Sequence, residues 1–316
     1  MNLLRMIAIQ KKSNPKKRLS QPHRNRLLFY YNLTIEGSGV KHPPLFYFMK
    51  SDKPLALITN DDSIDSYFLH VLVEEASKNF DIIVCAPEEE KSWIGHAISR
   101  HQKLCPVEKK GQFPCQAFAL NGTPADCVNF AIGNLFPRDP DLVISGINLG
   151  YNITLPMILS SGTVGAALEG SLLGVRSFAS SMSLPVENFE EIRKNLGKVE
   201  GDIAESLTHA AQMTAQYANE WVQHPTQEGL PVHNLNFPSN YDGKEEPILS
   251  FAGSLRLGSL FQKVENQNYH QLVYRPEWLE QNEPEIGSDL WVLEQGKPTV
   301  SRLDFADLAG RKHLEP

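Results

Sequence analysis

The composition of this 316-residue chain is that of a folded protein with an acidic body. Apolar residues make up 41 % and charged residues 21 %, which is enough apolar material for a core and excludes a wholly disordered chain. The formal net charge is −7, yet residues 1–50 hold ten Lys or Arg and one acid. The remainder is therefore strongly acidic and lacks the basic face that general nucleic-acid binding needs.

Short apolar runs alternate with amphipathic segments from Lys53 onward. Strands are predicted at PLALITN, DIIVCAP, QAFAL, PDLVISGIN and VRSFASSM. The segments between them have apolar residues at helical spacing, and helix boundaries are indicated by Thr123 or Asp126 at one start and Gly174 at one end. This alternation predicts an α/β fold, in which helices cover both faces of a parallel sheet.

The pattern changes after about residue 186. The run ENFEEIRKNLGKVEGDIAESLTHAAQMTAQYANEWVQ is predicted to be helical throughout, and PVHNLNFP is predicted to be a strand. Residues 245–304 mix Gly, Pro and acids, which indicates hairpins or a dimerisation arm.

The two remaining compositional features concern the N-terminus and the cysteines. Residues 1–50 are basic and rich in Pro and Asn, so we expect a disordered extension or translated upstream sequence with Met49 as the natural start; a nucleic-acid or targeting arm is the alternative.

No apolar stretch approaches the 18 residues of a membrane span. No CxxC pair is present, so we do not expect a zinc site. We expect a reduced, cytoplasmic setting for the protein. The cysteines are Cys85, Cys105, Cys115 and Cys127.

Four polar clusters fall where the predicted strands end or a helix begins. Because ligands of parallel sheets gather at the carboxyl ends of the strands, we expect these clusters to meet. They lie at residues 60–62, 88–92, 145–148 and 160–163.

The adjacent carboxylates Asp61 and Asp62 would repel each other at a strand end. A divalent cation such as Mg²⁺ or Mn²⁺ removes that conflict, and Ser92 and Asn148 could supply neutral oxygen ligands. The alternative is that the pair caps the following helix.

The turn SSGT opens a predicted helix, and such a turn favours an anion, typically phosphate. An ordinary Ser or Thr cap is the alternative. A metal site and a phosphate site at one sheet edge together predict metal-assisted hydrolysis of a phosphate ester.

The motifs TNDDS, APEEEKS, NGTPADCV, SGINLGYN, SGTVGAALEG and HNLNFP resemble, in order and spacing, those of the SurE family. The resemblance implies a Rossmann-like αβα three-layer sandwich with a mostly parallel sheet. It also implies a C-terminal β-hairpin or helical extension that swaps between subunits, in a homodimer or homotetramer. Members of the family are metal-dependent 5'(3')-nucleotidases acting on nucleoside monophosphates.

The resemblance also implies the site residues and the domains. Asp61 and Asp62 would be catalytic. The metal ligands would be Asp61, Asp62, Ser92 and Asn148, and the phosphate-binding residues would be Asn152, Ser161, Gly162 and Thr163. The catalytic domain would span residues 51–240 and the oligomerisation extension residues 241–316.

Three departures from the family pattern concern the surroundings of the site. Ser63 stands where the family has a glycine, and ITLPMILS is apolar where the family has a Gly and an acidic residue. The C-terminal pattern survives only faintly, as GKPTVSRLDF. These changes spare the proposed ligands but alter the loops around them.

The favoured mechanism is attack on phosphorus by a metal-activated water, and direct attack by Asp61 to form an aspartyl-phosphate is its alternative. A non-catalytic nucleotide-binding or regulatory protein is the rival function, and a flavodoxin-like cofactor binder is a third. We expect His96, His101 and the charged run at residues 88–91 to be solvated parts of the ligand-bearing loop, outside the site.

Overall fold

The computed structural model describes residues 52–224, 231–265, 267–273 and 283–305, and every structural statement below concerns these residues. The basic extension predicted at residues 1–50 lies outside them. Among the helices described, none is both long and apolar enough to cross a membrane.

A mixed, mostly parallel sheet forms the centre of the fold. Its strands lie in the order β3-β4-β2-β1-β5-β6-β7-β11-β8, and the six from β4 to β7 run parallel. β3 runs antiparallel to β4, and β11 runs antiparallel to β7. β9 and β10 form a separate antiparallel pair. The strand bounds are β1 Leu55–Thr59, β2 Asp81–Pro87, β3 Pro106–Glu108, β4 Gln116–Leu120, β5 Leu142–Leu149, β6 Arg176–Met182, β7 Val232–Phe237, β8 Ile248–Ser250, β9 Phe261–Lys263, β10 His270–Leu272 and β11 Thr299–Leu303.

Helices cover both faces of this sheet. The helix bounds are α1 Tyr67–Ala76, α2 Pro124–Asn134, α3 Thr154–Ser160, α4 Gly162–Leu172, α5 Val186–Lys194, α6 Gly201–Gln223 and α7 Asp289–Glu294. Within β1, Ile58 faces the core shared with α1 and α6, whereas Leu57 faces the core shared with α2 and α4. Successive side chains of this strand thus point into two different apolar cores, one on each face of the sheet. The predicted three-layer α/β fold is confirmed.

Local signals in the sequence fix several helix ends. Thr123 caps α2: its hydroxyl accepts a hydrogen bond from the Asp126 amide, and the Asp126 carboxylate accepts one from the Thr123 amide. Gly174 has a φ of 85° just beyond α4, the left-handed conformation in which glycine commonly ends a helix.

The expectation of one continuous helix after residue 186 is wrong, because the chain breaks between α5 and α6. Leu196 and Gly197 both have positive φ there. A Cβ at Gly197 would lie 3.2 Å from the Phe68 ring of α1, and the Leu196 carbonyl accepts a hydrogen bond from the Tyr67 amide. The break lets α6 lie against α1, a contact that helical periodicity does not encode. α3 and β3 were not predicted either.

Residues after 241 contribute to the same sheet, because β8 and β11 extend it beyond β7. The β9–β10 pair is a hairpin of the kind expected within residues 245–304. Whether these residues join subunits remains a prediction.

The strand order reverses between β1 and β5. From β1 the chain moves to β2 and β4 on one side, and it then returns to place β5 on the other side of β1. The crevice at the carboxyl ends of these two strands is where doubly wound sheets bind ligands. The Asp61–Asp62 pair and Asn148 lie at this place.

Candidate functional site

Asp61 follows β1 and lies against the N-terminus of α4. Its side chain is 3 % exposed, and Oδ1 accepts a hydrogen bond from the Thr163 hydroxyl at 2.5 Å. A Cβ at Gly162 would lie 2.9 Å from both Cβ and Oδ2 of Asp61. The glycine is therefore needed for this close approach, and the carboxylate sits at the positive end of the α4 dipole.

Asp62 ties the end of β1 to the end of β5, because its Oδ2 accepts a hydrogen bond from the Leu149 amide at 3.0 Å. Neither carboxylate caps the helix that follows. The N-cap of α1 is Ser66, which makes no side-chain cap bond. The alternative in which the pair caps the next helix is therefore wrong.

The two carboxyl groups resist ionising together. Burial raises the pKa of Asp61 to about 6, although the hydrogen bonds from Thr163 oppose the shift. Burial, followed by the charge of Asp61, raises the pKa of Asp62 well above its usual range. A cation at this position would favour ionisation of both groups.

Ser92 lies on a loop that is fastened directly to Asp61. The amide of the preceding residue, Lys91, donates to the Asp61 carbonyl at 2.7 Å. The Ser92 hydroxyl donates to Glu90 Oε1 at 2.8 Å, so its proton points toward that carboxylate.

Asn148 lies at an irregular part of β5, where the register against β6 shifts between Ser145 and Asn148. Irregularities of this kind re-aim side chains near sites. A Cβ at Gly146 would lie 2.2 Å from the Ser180 carbonyl oxygen, so this position admits only glycine. The side-chain nitrogen of Asn148 donates a hydrogen bond to the Gly150 carbonyl at 3.1 Å. The side-chain oxygen is therefore the atom that could coordinate a cation.

The donor set of these four side chains fits a hard cation. It offers two carboxylates, one hydroxyl and one amide, and each of the four groups is held by a hydrogen bond to the protein. In the part of the chain that the structure describes, no cluster of three or more His, Cys, Asp or Glu side chains could hold a metal. A cation here would rely on few charged ligands, neutral oxygens and water, which suits Mg²⁺ or Mn²⁺ better than zinc.

The residues predicted to bind phosphate make hydrogen bonds and packing contacts within the protein. The Ser161 hydroxyl accepts from the Val164 amide at 3.1 Å and so caps α4, as the alternative interpretation of the turn proposed. Thr163 donates to Asp61, and Gly162 packs against it. Three of the four predicted phosphate residues thus cluster at the N-terminus of α4.

Asn152, the fourth, is held from the other side by β6 and β7. Its side-chain nitrogen donates to Ser181 Oγ at 2.9 Å, and its amide donates to Asn236 Oδ1 at 2.8 Å. Its carbonyl accepts from the side chains of Asn234 and Asn236 at 2.7 and 3.2 Å. The sequence interpretation missed this role of Asn234 and Asn236, although two asparagines at alternate positions of a buried strand were a signal.

The loop that contains Ser92 is fastened to α4 as well. His96 Nε2 lies 2.6 Å from Glu169 Oε2, and Asn129 donates to the other oxygen of Glu169 at 2.7 Å. His96 and His101 are both exposed, as expected, but His96 in addition contacts Glu169. Glu169 thus connects this loop to α2 and α4.

Two departures from the family pattern have structural consequences. Ser63, in place of a glycine, has a φ of 91°, a backbone conformation that favours glycine. The apolar segment between Asn152 and the SSGT turn forms α3, and its Leu155 and Leu159 are 53 % and 54 % exposed. The surroundings of the site therefore depart from the family pattern in two ways: the backbone is strained at Ser63, and α3 exposes apolar side chains.

A family model described as "Survival protein SurE" matches residues 56–253. The chain is 33 % identical to the 5'-nucleotidase SurE of Caldanaerobacter subterraneus subsp. tengcongensis, over 75 % of this chain and 84 % of that protein. It is 32 % identical to the 5'-nucleotidase SurE of Moorella thermoacetica, over 82 % and 94 % of the two chains. The crystal structure of the SurE protein from Aquifex aeolicus matches with a TM-score of 0.63 at 24 % identity, covering 83 % of this chain and 98 % of that one, and so shares the fold.

Proposed function

The chain belongs to the SurE family, and we propose that it hydrolyses nucleoside monophosphates to a nucleoside and inorganic phosphate with a bound Mg²⁺ or Mn²⁺. The observation that carries this proposal is the carboxylate pair at the strand-order reversal, in which Asp61 is buried against the N-terminus of a helix and Asp62 is half-buried beside it.

Asp61, Asp62, Ser92 and Asn148 would hold the cation. Their hydrogen bonds support this assignment, because each bond uses one atom or proton of the side chain and leaves an oxygen lone pair for a ligand. When bound, the cation supplies Lewis acidity that lowers the pKa of a water and screens the charge of the phosphate.

The N-terminus of α4 would bind the phosphate, through Ser161, Gly162 and Thr163, with Asn152 on the far side. The Asp61 carboxylate lies at this helix end and accepts a hydrogen bond from Thr163. A phosphate dianion would be repelled by this carboxylate when no cation balances its charge, so the proposal requires the cation to bind before the substrate. Strong metal dependence of turnover follows from this arrangement.

The reaction adds water across the ester. The water oxygen forms the new bond to phosphorus, the bond to the ester oxygen breaks, and the leaving nucleoside oxygen takes a proton. Pre-organised donors at a helix N-terminus stabilise the negative charge that develops on the phosphoryl oxygens. Both oxygens of Asp61 face α4, which supports a fixed ligand rather than an attacking nucleophile.

The test is a panel of nucleoside 5'- and 3'-monophosphates and a generic phosphate ester, assayed for released phosphate with Mg²⁺, with Mn²⁺ and with a chelator. We expect turnover with at least one metal, none with the chelator, and none for Asp61→Asn. Nucleotide binding without phosphate release under all conditions would contradict the proposal and favour the non-catalytic alternative.

A further inference from the structure

We propose that Glu90 is a positioning residue for the cation site, which turns the oxygen of Ser92 toward the cation while Arg193 holds Glu90 in place. This inference rests on the proposed function, because it requires Ser92 to be a metal ligand. It concerns a residue of the charged run at 88–91 that sequence alone suggested to be merely solvated.

The geometry is a chain of three side chains from two distant elements. The Ser92 hydroxyl donates to Glu90 Oε1 at 2.8 Å, and Arg193 Nη1 of α5 donates to Glu90 Oε2 at 3.0 Å. Each oxygen of the Glu90 carboxylate thus has its own partner, which fixes the rotation of the group. Arg193 is fixed in turn, because its Nη2 donates to Glu190 at 3.0 Å.

The direction of the Ser92 proton decides whether its oxygen can bind a cation. A hydroxyl has one proton and two lone pairs, and a cation needs a lone pair with the proton pointing away. A carboxylate is a strong acceptor for that proton. When the carboxylate accepts the hydrogen bond, the serine oxygen becomes a better electron-pair donor to a metal ion. Partners of this kind orient the ligands of metal sites generally.

Glu90 acts through Ser92 rather than as a ligand itself. Among the described residues no three acidic, histidine or cysteine side chains lie close enough together to hold a metal, so Glu90 does not complete a cluster with Asp61 and Asp62. Its side chain and that of Arg193 are each 36 % exposed. Exposed pairs contribute little to folding stability, so variants of Glu90 are expected to fold normally.

The experiment measures Mn²⁺ affinity by titration calorimetry on the full chain without substrate. We expect Glu90→Ala to weaken binding by about tenfold, within the range seen when such partners of metal ligands are removed. Glu90→Gln keeps an acceptor oxygen, so it should restore part of the loss. Glu190→Gln is the matched control, because it removes a nearby negative charge that does not contact Ser92 and keeps an acceptor oxygen for Arg193, and it should change affinity by less than about twofold.

A double-mutant cycle separates orientation of Ser92 from simple attraction by a negative charge. If Glu90 acts through Ser92, Glu90→Ala should cause no further loss in a Ser92→Ala background. An equal loss in both backgrounds would show an effect through space and overturn the proposal. Parental affinity in Glu90→Ala would overturn it while leaving the proposed function intact, whereas absence of Mn²⁺ binding to the parental chain would overturn both.

Discussion

Replacing Gly162 by alanine tests whether α4 and Asp61 form one unit. The added Cβ would lie 2.9 Å from Cβ and Oδ2 of Asp61 and 3.1 Å from the Lys91 carbonyl oxygen, whereas ordinary contacts begin at 3.4 Å. Asp61 must therefore retreat by about 0.5 Å. The backbone itself tolerates the change, because Gly162 does not have the positive φ that excludes alanine.

The size of the expected effect follows from the tolerance of metal sites. Ligand distances hold to within about 0.2 Å, so a shift of about 0.5 Å should weaken Mn²⁺ binding and kcat/KM by roughly 10- to 100-fold. The free energy of unfolding should fall by only about 1 kcal/mol. Overpacking costs about 1–3 kcal/mol, and replacing a helical glycine by alanine returns up to about 1 kcal/mol.

Gly133→Ala is the matched control, because Gly133 also lies in a helix and a Cβ there meets nothing within 4 Å. It should stabilise the protein by about 0.5–1 kcal/mol and leave metal affinity unchanged. Calorimetry with Mn²⁺, urea unfolding and phosphate release are measured on both variants. Parental metal affinity and turnover in Gly162→Ala would refute the close packing of Asp61 on the helix.

Four further predictions concern the carboxylate pair, the helix cap, the strained loop and the N-terminus. The pKa of Asp61 is raised to about 6 from 3.8, so its contribution to stability is present below pH 4 and is lost as pH rises through 6. Asp61→Asn should therefore have a free energy of unfolding up to about 3 kcal/mol above that of the parent at pH 7 in chelator, measured by urea unfolding, and no such gain at pH 4. Ser161→Ala should lose about 1 kcal/mol through its missing cap and raise KM several-fold; a lower Tm with unchanged kcat and KM would limit Ser161 to capping. Ser63→Gly should gain about 0.5–1 kcal/mol in urea unfolding, because relief of backbone strain exceeds the entropy that glycine adds to the unfolded chain; a loss would show that the serine side chain is needed. A chain starting at Met49 should release phosphate at the parental rate, and loss of activity or solubility would make the basic extension structural.

Local features of the sequence determined much of the fold. The buried runs that became β1, β2 and the first part of β5 were recognisable because strands buried on both faces are mostly apolar. The capping box of Thr123 and Asp126 and the glycine after α4 fixed helix ends, because these signals act within a few residues. The Asp61–Asp62 pair was identifiable for a similar reason, since two adjacent carboxylates at a strand end need a counter-charge.

Only the tertiary structure decided which partners these residues take. Asp61 meets Thr163 across 102 positions, Asn152 meets Asn236 across 84, and Arg193 meets Glu90 across 103. These contacts exist because strand order brings β1 beside β5, and β6 beside β7, and local propensity contains no information on that order. The same limit explains the break at Gly197, where packing of α6 against α1 overrides a sequence that is helical by its periodicity.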